Sequence, residues 1–187
     1  MYLNCHSYYS LRYGTITIEE LVAEAKKNGI QALVLTDINN TMGMMDFIKE
    51  CNENDIQPIA GVEFRNDNNL LYIGIAKNNK GFAELNEFLT HHNLNKLKLP
   101  EIAPDFNHVY TIYPWNKNTT KKLAENEYFG IKPAQIPGLI TLENRLMLEK
   151  LVVWHPVTLK SKTDFEVHQC LRAVENNTLI SKLTSLQ

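Results

Sequence analysis

Three short polar runs, each closing or directly following an apolar run, constrain the fold of this chain more than any other feature. They occupy residues 4–10, 35–39 and 61–64. The apolar run before the second of them, residues 32–35, has no polar interruption, which is typical of a parallel strand covered on both faces. In a β/α barrel the carboxyl ends of the strands meet on the face where binding and catalytic groups lie. The sequence therefore predicts that the three polar runs share one face.

Helical patterns alternate with these strands. Thr17 and Glu20 have capping-box spacing, which predicts a helix start, and Gly29 suits the end of that helix. The alternation predicts an α/β fold with a mainly parallel sheet, namely a small, distorted β/α barrel of about seven strand–helix units. Further helices are predicted at about 41–54, 81–92, 117–126, 142–148, 163–176 (with a second capping box at Thr163) and 178–187, and further strands at 70–76, 109–113, 128–131 and 151–154.

Length and charge limit the classes of function. A chain of 187 residues fits a single domain, 1–187. Its formal net charge of −2 gives no overall attraction to nucleic acid, although Lys117, Lys121 and Lys122 leave a local contact open.

The cysteines and the apolar runs indicate a cellular compartment. Cys5, Cys51 and Cys170 lack the CxxC spacing and the even count of a disulfide framework, and are expected to be reduced thiols. No apolar run has the length of a membrane span. We expect a cytoplasmic protein without a membrane partner.

Several segments resemble one family. Together they resemble the PHP (polymerase and histidinol phosphatase) domain at the N-terminus of bacterial DNA polymerase III alpha subunits. The last segment resembles the polymerase branch rather than the phosphatases. The resemblance implies a PHP-type barrel that forms the N-terminal part of a longer alpha chain. The segments are residues 6–14, 20–39, 58–63, 76–79 and 164–179.

The resemblance also implies that the metal site of the family is largely lost. In active members, His, Asp, Glu and sometimes Cys hold up to three metals at the strand ends. His6 and Glu63 match retained ligands, and with Asp37 and His155 they are expected to line a vestigial cleft without catalytic residues. Two metals about 4 Å apart are needed to clamp the attacking and leaving oxygens. The positions of expected ligands are filled by Asn4, Tyr13, Ile38, Leu71, Lys132 and Pro156–Thr158.

Other interpretations of these residues stay open. A single Zn²⁺ or Mn²⁺ ion on His6, Glu63 and His155 is chemically reasonable; otherwise no cofactor is expected. More simply, His6 and Glu63 hydrogen-bond each other, and Asp37 caps the turn after its own strand. Cys5 is not expected to act as a nucleophile beside His6, because neighbours on a strand point to opposite faces.

The resemblance implies a structural role rather than an enzymatic one. The polymerase aspartates of the family lie in a later palm domain, so this segment should not catalyse nucleotidyl transfer. The implied partners are the remainder of the alpha chain and a proofreading exonuclease subunit, with DNA reached through the holoenzyme. The alternatives are an active metal-dependent phosphoesterase or 3′–5′ exonuclease, and an unrelated sugar- or metabolite-binding barrel.

Overall fold

A computed structural model describes residues 2–115, 122–139 and 148–183 and confirms the predicted α/β class. In the described ranges, seven strands form one sheet in which the order along the chain is also the order in space. Four α-helices of the same described ranges accompany them. The strands are β1 Tyr2–Cys5, β2 Ala32–Leu35, β3 Gln57–Asn66, β4 Asn69–Ala76, β5 Val109–Pro114, β6 Glu127–Ile131 and β7 Leu151–Val153, and the helices are α1 Ile18–Lys27, α2 Met44–Glu53, α3 Asn79–Asn95 and α4 Lys162–Glu175.

The sheet is mainly parallel, as predicted, but the predicted regular alternation of strand and helix is wrong between β3 and β4. β3 and β4 form an antiparallel hairpin without a helix between them, and β4 also pairs antiparallel with β5. The hairpin turn is Asp67–Asn68, and Asp67 has a positive φ of 52°. Aspartate and asparagine tolerate this left-handed region better than other non-glycine residues, which is why the chain reverses here.

The sheet curls until the segment after β7 reaches β1. A parallel bridge joins Cys5 and Val157. The amide of His6 donates to the Val157 carbonyl at 2.9 Å, and the Val157 amide donates to the Asn4 carbonyl at 2.8 Å. The closure brings the segment after β7 next to the first polar run.

β1 carries one residue more than β2 where the two strands pair. Tyr2 lies opposite Leu33 and Cys5 opposite Leu35, so three steps along β1 match two along β2. Such a bulge changes the side on which the following side chains lie. Cys5 consequently packs in the outer core with Leu33 and Leu35, while Asn4 reaches the interior.

Three apolar clusters hold the elements together. The first packs α1 and α2 against β1 and β2, and includes Val22 and Phe47. The second packs α3 against β3–β6, and includes Phe64 and Leu85. The third lies on the inner face of the curled sheet around Ile73. In the described ranges, no helix is both long and apolar enough to cross a bilayer.

The predicted helix starts are right for α1 and shifted for α4. The Thr17 hydroxyl accepts from the Glu20 amide, and the Glu20 carboxylate accepts from the Thr17 amide, as predicted. For α4 the prediction of Thr163 is wrong, because Ser161 and Asp164 form the capping box two residues earlier. Ser-x-x-Asp satisfies the same donors as Thr-x-x-Glu.

Three other predicted helices lie partly outside the residues that the structure describes. Residues 122–126 are not helical, and the remainder of the predicted 117–126 helix lies outside the described residues, as do Lys117, Lys121 and residues 142–147. Residues 180–182 form a 3₁₀ turn rather than part of an α-helix.

Candidate functional site

A buried polar cluster joins the end of β1, the second half of β3 and the segment after β7. Nε2 of His6 and Oε2 of Glu63 are 3.0 Å apart, and both side chains are fully buried. The Asn4 amide donates to the same Glu63 oxygen at 2.6 Å. Nδ1 of His6 lies 2.9 Å from the Thr158 hydroxyl. The interpretation that His6 and Glu63 hydrogen-bond each other is confirmed, and Asn4 and Thr158 extend the cluster.

Arg65 contacts the other oxygen of Glu63. It lies two residues further along β3, and its Nε donates to Oε1 of Glu63. Its Nη2 donates to the Tyr13 hydroxyl at 3.2 Å, and its Cζ lies 4.4 Å from the centroid of the Tyr13 ring. Protein groups therefore engage both carboxylate oxygens.

The environment of Glu63 favours its charged form. Burial alone would raise the pKa of Glu63, but the charge and hydrogen bond of His6, the charge of Arg65 and the hydrogen bond from Asn4 outweigh it. The net effect lowers the pKa of Glu63 to about 2. Because the carboxylate is ionised, the hydrogen bond requires the proton on Nε2 of His6.

Asp37 belongs to a second, separate group of hydrogen bonds. Its carboxylate accepts from the Ser7 amide and the Ser7 hydroxyl, both at 2.7 Å, and from the Ser10 hydroxyl at 2.6 Å. The expectation that Asp37 caps its own turn is wrong, because these donors come from the loop after β1. Burial raises the pKa of Asp37 in spite of the three hydrogen bonds, which lower it.

Tyr13 connects the cluster to α4. Its ring meets the rings of His6 and His168 edge to face, with centroids 5.4 and 4.8 Å apart. Nδ1 of His168 lies 2.6 Å from the Tyr13 carbonyl oxygen. Cζ of Arg172, also on α4, lies 5.4 Å from the Tyr13 centroid. Tyr13 is therefore held from both sides of the cleft.

A cavity of about 350 Å³ opens above this cluster. Its walls include Tyr13, Ile38, Asn39 and both arginines, Arg65 and Arg172. Ile38 follows β2, and a parallel backbone bridge joins it to Glu63, so the two residues lie side by side. Glu63 and His6 are fully buried and are not part of the cavity wall.

The remaining predicted site residues lie away from the cluster of His6 and Glu63. His155 is exposed to solvent, while Leu71 packs in the apolar cluster beneath α3. Cys5 lies in the outer core, where burial, with smaller effects of Asp37 and Cys51, raises the pKa of its thiol to about 12. A thiol of this kind stays protonated at neutral pH, as expected for a residue that is not a nucleophile.

The donor set does not fit a metal ion. In the part of the chain that the structure describes, no three His, Cys, Asp or Glu side chains lie close enough to share one. The hypothetical set of His6, Glu63 and His155 is not brought together. A cation at Glu63 would also have to displace the Arg65 guanidinium and the Asn4 amide from the carboxylate.

The lowered pKa of Glu63 predicts acid sensitivity. Folded Glu63 has a pKa of about 2 against 4.5 for the free side chain, so its contribution is complete above about pH 4.5 and is lost as the pH falls toward 2. We expect the free energy of unfolding to fall by about 2 kcal/mol from this residue between pH 5 and pH 3. Urea unfolding at both pH values measures the loss.

Glu63→Gln is the matched control for this measurement. The raised pKa of Asp37 acts in the opposite direction, but it does so equally in both proteins. The difference between them therefore isolates Glu63. An identical pH dependence in the two proteins would contradict the assignment.

Comparison with known proteins identifies a matching family and several sequence relatives of this chain. The family model for the PHP domain matches residues 3–132. The DNA polymerase III subunit alpha of Chlamydia pneumoniae is 48% identical over 61 residues, which are 33% of this chain and 5% of that protein. The error-prone DNA polymerase of Symbiobacterium thermophilum is 35% identical over 96 residues, which are 51% of this chain and 9% of that protein.

A solved structure shows a weaker likeness. An amidohydrolase from Chromobacterium violaceum matches with a TM-score of 0.38 and 22% identity, over 51% of this chain and 34% of the other. The match to each of the two polymerase relatives covers less than a tenth of that relative.

Proposed function

This chain belongs to the PHP domain family, and from that premise we propose that it is the PHP domain of a bacterial replicative DNA polymerase III alpha subunit whose metal site has become structural. Relatives named DNA polymerase III subunit alpha and error-prone DNA polymerase support the polymerase branch. The main observation in favour of a lost metal site is the hydrogen bond from the Arg65 guanidinium to the Glu63 carboxylate.

The chemistry of the cleft supports a role without catalysis. A two-metal phosphoesterase needs several carboxylate and imidazole ligands directed at one space. Here Glu63 is held by three protein donors, and Asp37 is turned to Ser7 and Ser10 instead. Ile38 supplies no ligand. The segment is accordingly no enzyme by itself, and the cluster joins β1, β3 and α4.

The partners follow from the same proposal. The domain packs against the remainder of the alpha chain in the cytoplasm and offers a docking surface to a proofreading exonuclease subunit. It meets DNA through the assembled polymerase rather than by a strong site of its own, in keeping with its net charge of −2.

Metal content and nuclease activity test this function together. The purified, untagged domain is incubated with Zn²⁺ and Mn²⁺, dialysed and measured by elemental analysis. We expect less than about a tenth of an equivalent to be retained, because the ligands are too few and are already engaged. We also expect no metal-dependent release of nucleotides from a 3′ end and no hydrolysis of a phosphomonoester.

The opposite result would identify the active alternative. One equivalent or more of metal, lost in both His6→Ala and Glu63→Ala, together with 3′–5′ exonuclease or phosphoesterase activity, would overturn the structural role. Lys80→Ala, on the exposed start of α3, is the matched control and should leave both readouts unchanged.

A further inference from the structure

We infer that the guanidinium of Arg65, positioned by Tyr13, is the built-in counter-ion of this cleft and takes the electrostatic place that a bound cation has in a metal-binding relative. This inference rests on the proposed function, since it explains what replaced the metal. It assigns a stabilising role to Arg65, which no ligand pattern identifies, and to Tyr13, which fills the position of an expected ligand.

Glu63 creates the need for such a counter-ion. Its side chain is fully buried, and an unpaired buried carboxylate costs several kcal/mol. His6 and Asn4 both face Oε2 of Glu63, and Asn4 supplies a hydrogen bond but no charge. The charge of His6 contributes with that of Arg65 to the lowered pKa of Glu63. Arg65 supplies a permanent positive charge on the opposite oxygen, Oε1.

Tyr13 fixes the position of that charge. The Arg65 guanidinium lies over the Tyr13 ring at 4.4 Å and donates to its hydroxyl at 3.2 Å, so it is held by a cation–π contact and a hydrogen bond at once. The ring itself is flanked by His6 and His168. A lysine would keep the charge, but it lacks the planar fork of donors that serves Glu63 and Tyr13 in one fixed geometry.

The counter-ion and a metal exclude each other. Both would neutralise Glu63, and both need its oxygens. The resemblance places an acidic ligand at position 13, yet the side chain there is a tyrosine that binds a cation by its ring. Tyr13 stands where an acidic metal ligand is expected, and Arg65 contacts Glu63. Both features favour a positive charge supplied by the protein over a bound metal ion.

A double-mutant cycle on the purified domain tests the inference. Arg65→Met removes the charge but keeps an unbranched side chain, and we expect its Tm to fall by about 5–10 °C, because Glu63 loses its permanent partner. Glu63→Gln/Arg65→Met removes both charges, and we expect it to recover at least half of that loss. Tm of the wild type, of the single variants Glu63→Gln and Arg65→Met, and of the double variant is measured by circular dichroism in EDTA and again with Zn²⁺ or Mn²⁺.

Two controls define the effect. Arg12→Met removes a surface arginine paired with Glu175, and we expect a Tm change below about 2 °C. Arg65→Lys keeps the charge without the fork of donors, and we expect a Tm between those of the wild type and Arg65→Met. If Arg65→Met does not fold, the double variant still decides, because a counter-ion role requires it to fold.

The outcomes separate this inference from the proposed function. Losses that simply add in the double variant, or an Arg65→Met Tm equal to the wild-type Tm, would overturn the counter-ion role in a domain that holds no metal. A wild-type Tm that rises with Zn²⁺, together with retained metal, would instead overturn the proposed function.

Discussion

Asp37→Ala is expected to lower the free energy of unfolding by about 4 kcal/mol, because it leaves several buried donors without an acceptor. The Ser7 amide, the Ser7 hydroxyl and the Ser10 hydroxyl all donate to this carboxylate. Both serines are fully buried, so water does not replace the lost acceptor. Equilibrium unfolding in urea at pH 7 measures the change.

Two further variants test whether the loss of stability in Asp37→Ala comes from its buried hydrogen-bond donors. Asp46→Ala removes an exposed carboxylate that accepts one hydrogen bond, from the Tyr9 hydroxyl at 2.9 Å, and should cost less than about 1 kcal/mol. Asp37→Asn keeps one acceptor oxygen but directs amide hydrogens at other donors, and should cost about 2 kcal/mol. Equal losses for Asp37→Ala and Asp46→Ala would show that the network around Asp37 does not hold the loop.

Gly14→Ala is expected to cost at least about 4 kcal/mol, or to prevent folding. A Cβ at this position would lie 1.8 Å from the Ser7 carbonyl oxygen and 2.6 Å from the Ser7 carbonyl carbon. These are backbone atoms of a residue that Asp37 holds from two sides, so they cannot move away cheaply. Thermal unfolding followed by circular dichroism measures the loss.

Gly29→Ala is the matched control for the steric effect. Gly29 has a φ of +67°, but a Cβ there would meet no atom within 4 Å. We expect only the cost of a left-handed alanine, about 1–2 kcal/mol. If Gly14→Ala were no worse than Gly29→Ala, the close approach between Gly14 and Ser7 would be wrong.

Local sequence rules predicted those parts of the fold that local physics determines. The capping box at Thr17 and the apolar run of β2 depend on neighbours within four residues, and both were confirmed. The general alternation of strand and helix failed at the β3–β4 hairpin, where a two-residue Asp67–Asn68 turn leaves no room for a helix. The apolar pattern of the two strands does not show in which direction they pair.

The cleft was predictable in part. The resemblance pointed to His6 and Glu63, and Arg65 could have been found by the period of two that places it on the same face of β3 as Glu63. His168 contacts Tyr13 across 155 positions of sequence, and no local pattern indicates such a contact. His155 stays exposed because β7 ends at Val153 and the chain then presents Thr158 to His6.

The closure of the sheet by Val157 has a consequence for synthesis on the ribosome. His6 contacts Thr158 across 152 positions, and β1 meets Val157 only after most of this chain has been made. Until then the outer edge of β1 offers unpaired backbone groups, and such an edge readily pairs with other chains. A nascent chain stalled before residue 157 would therefore carry its first strand unprotected, and this early segment is where a chaperone would be needed.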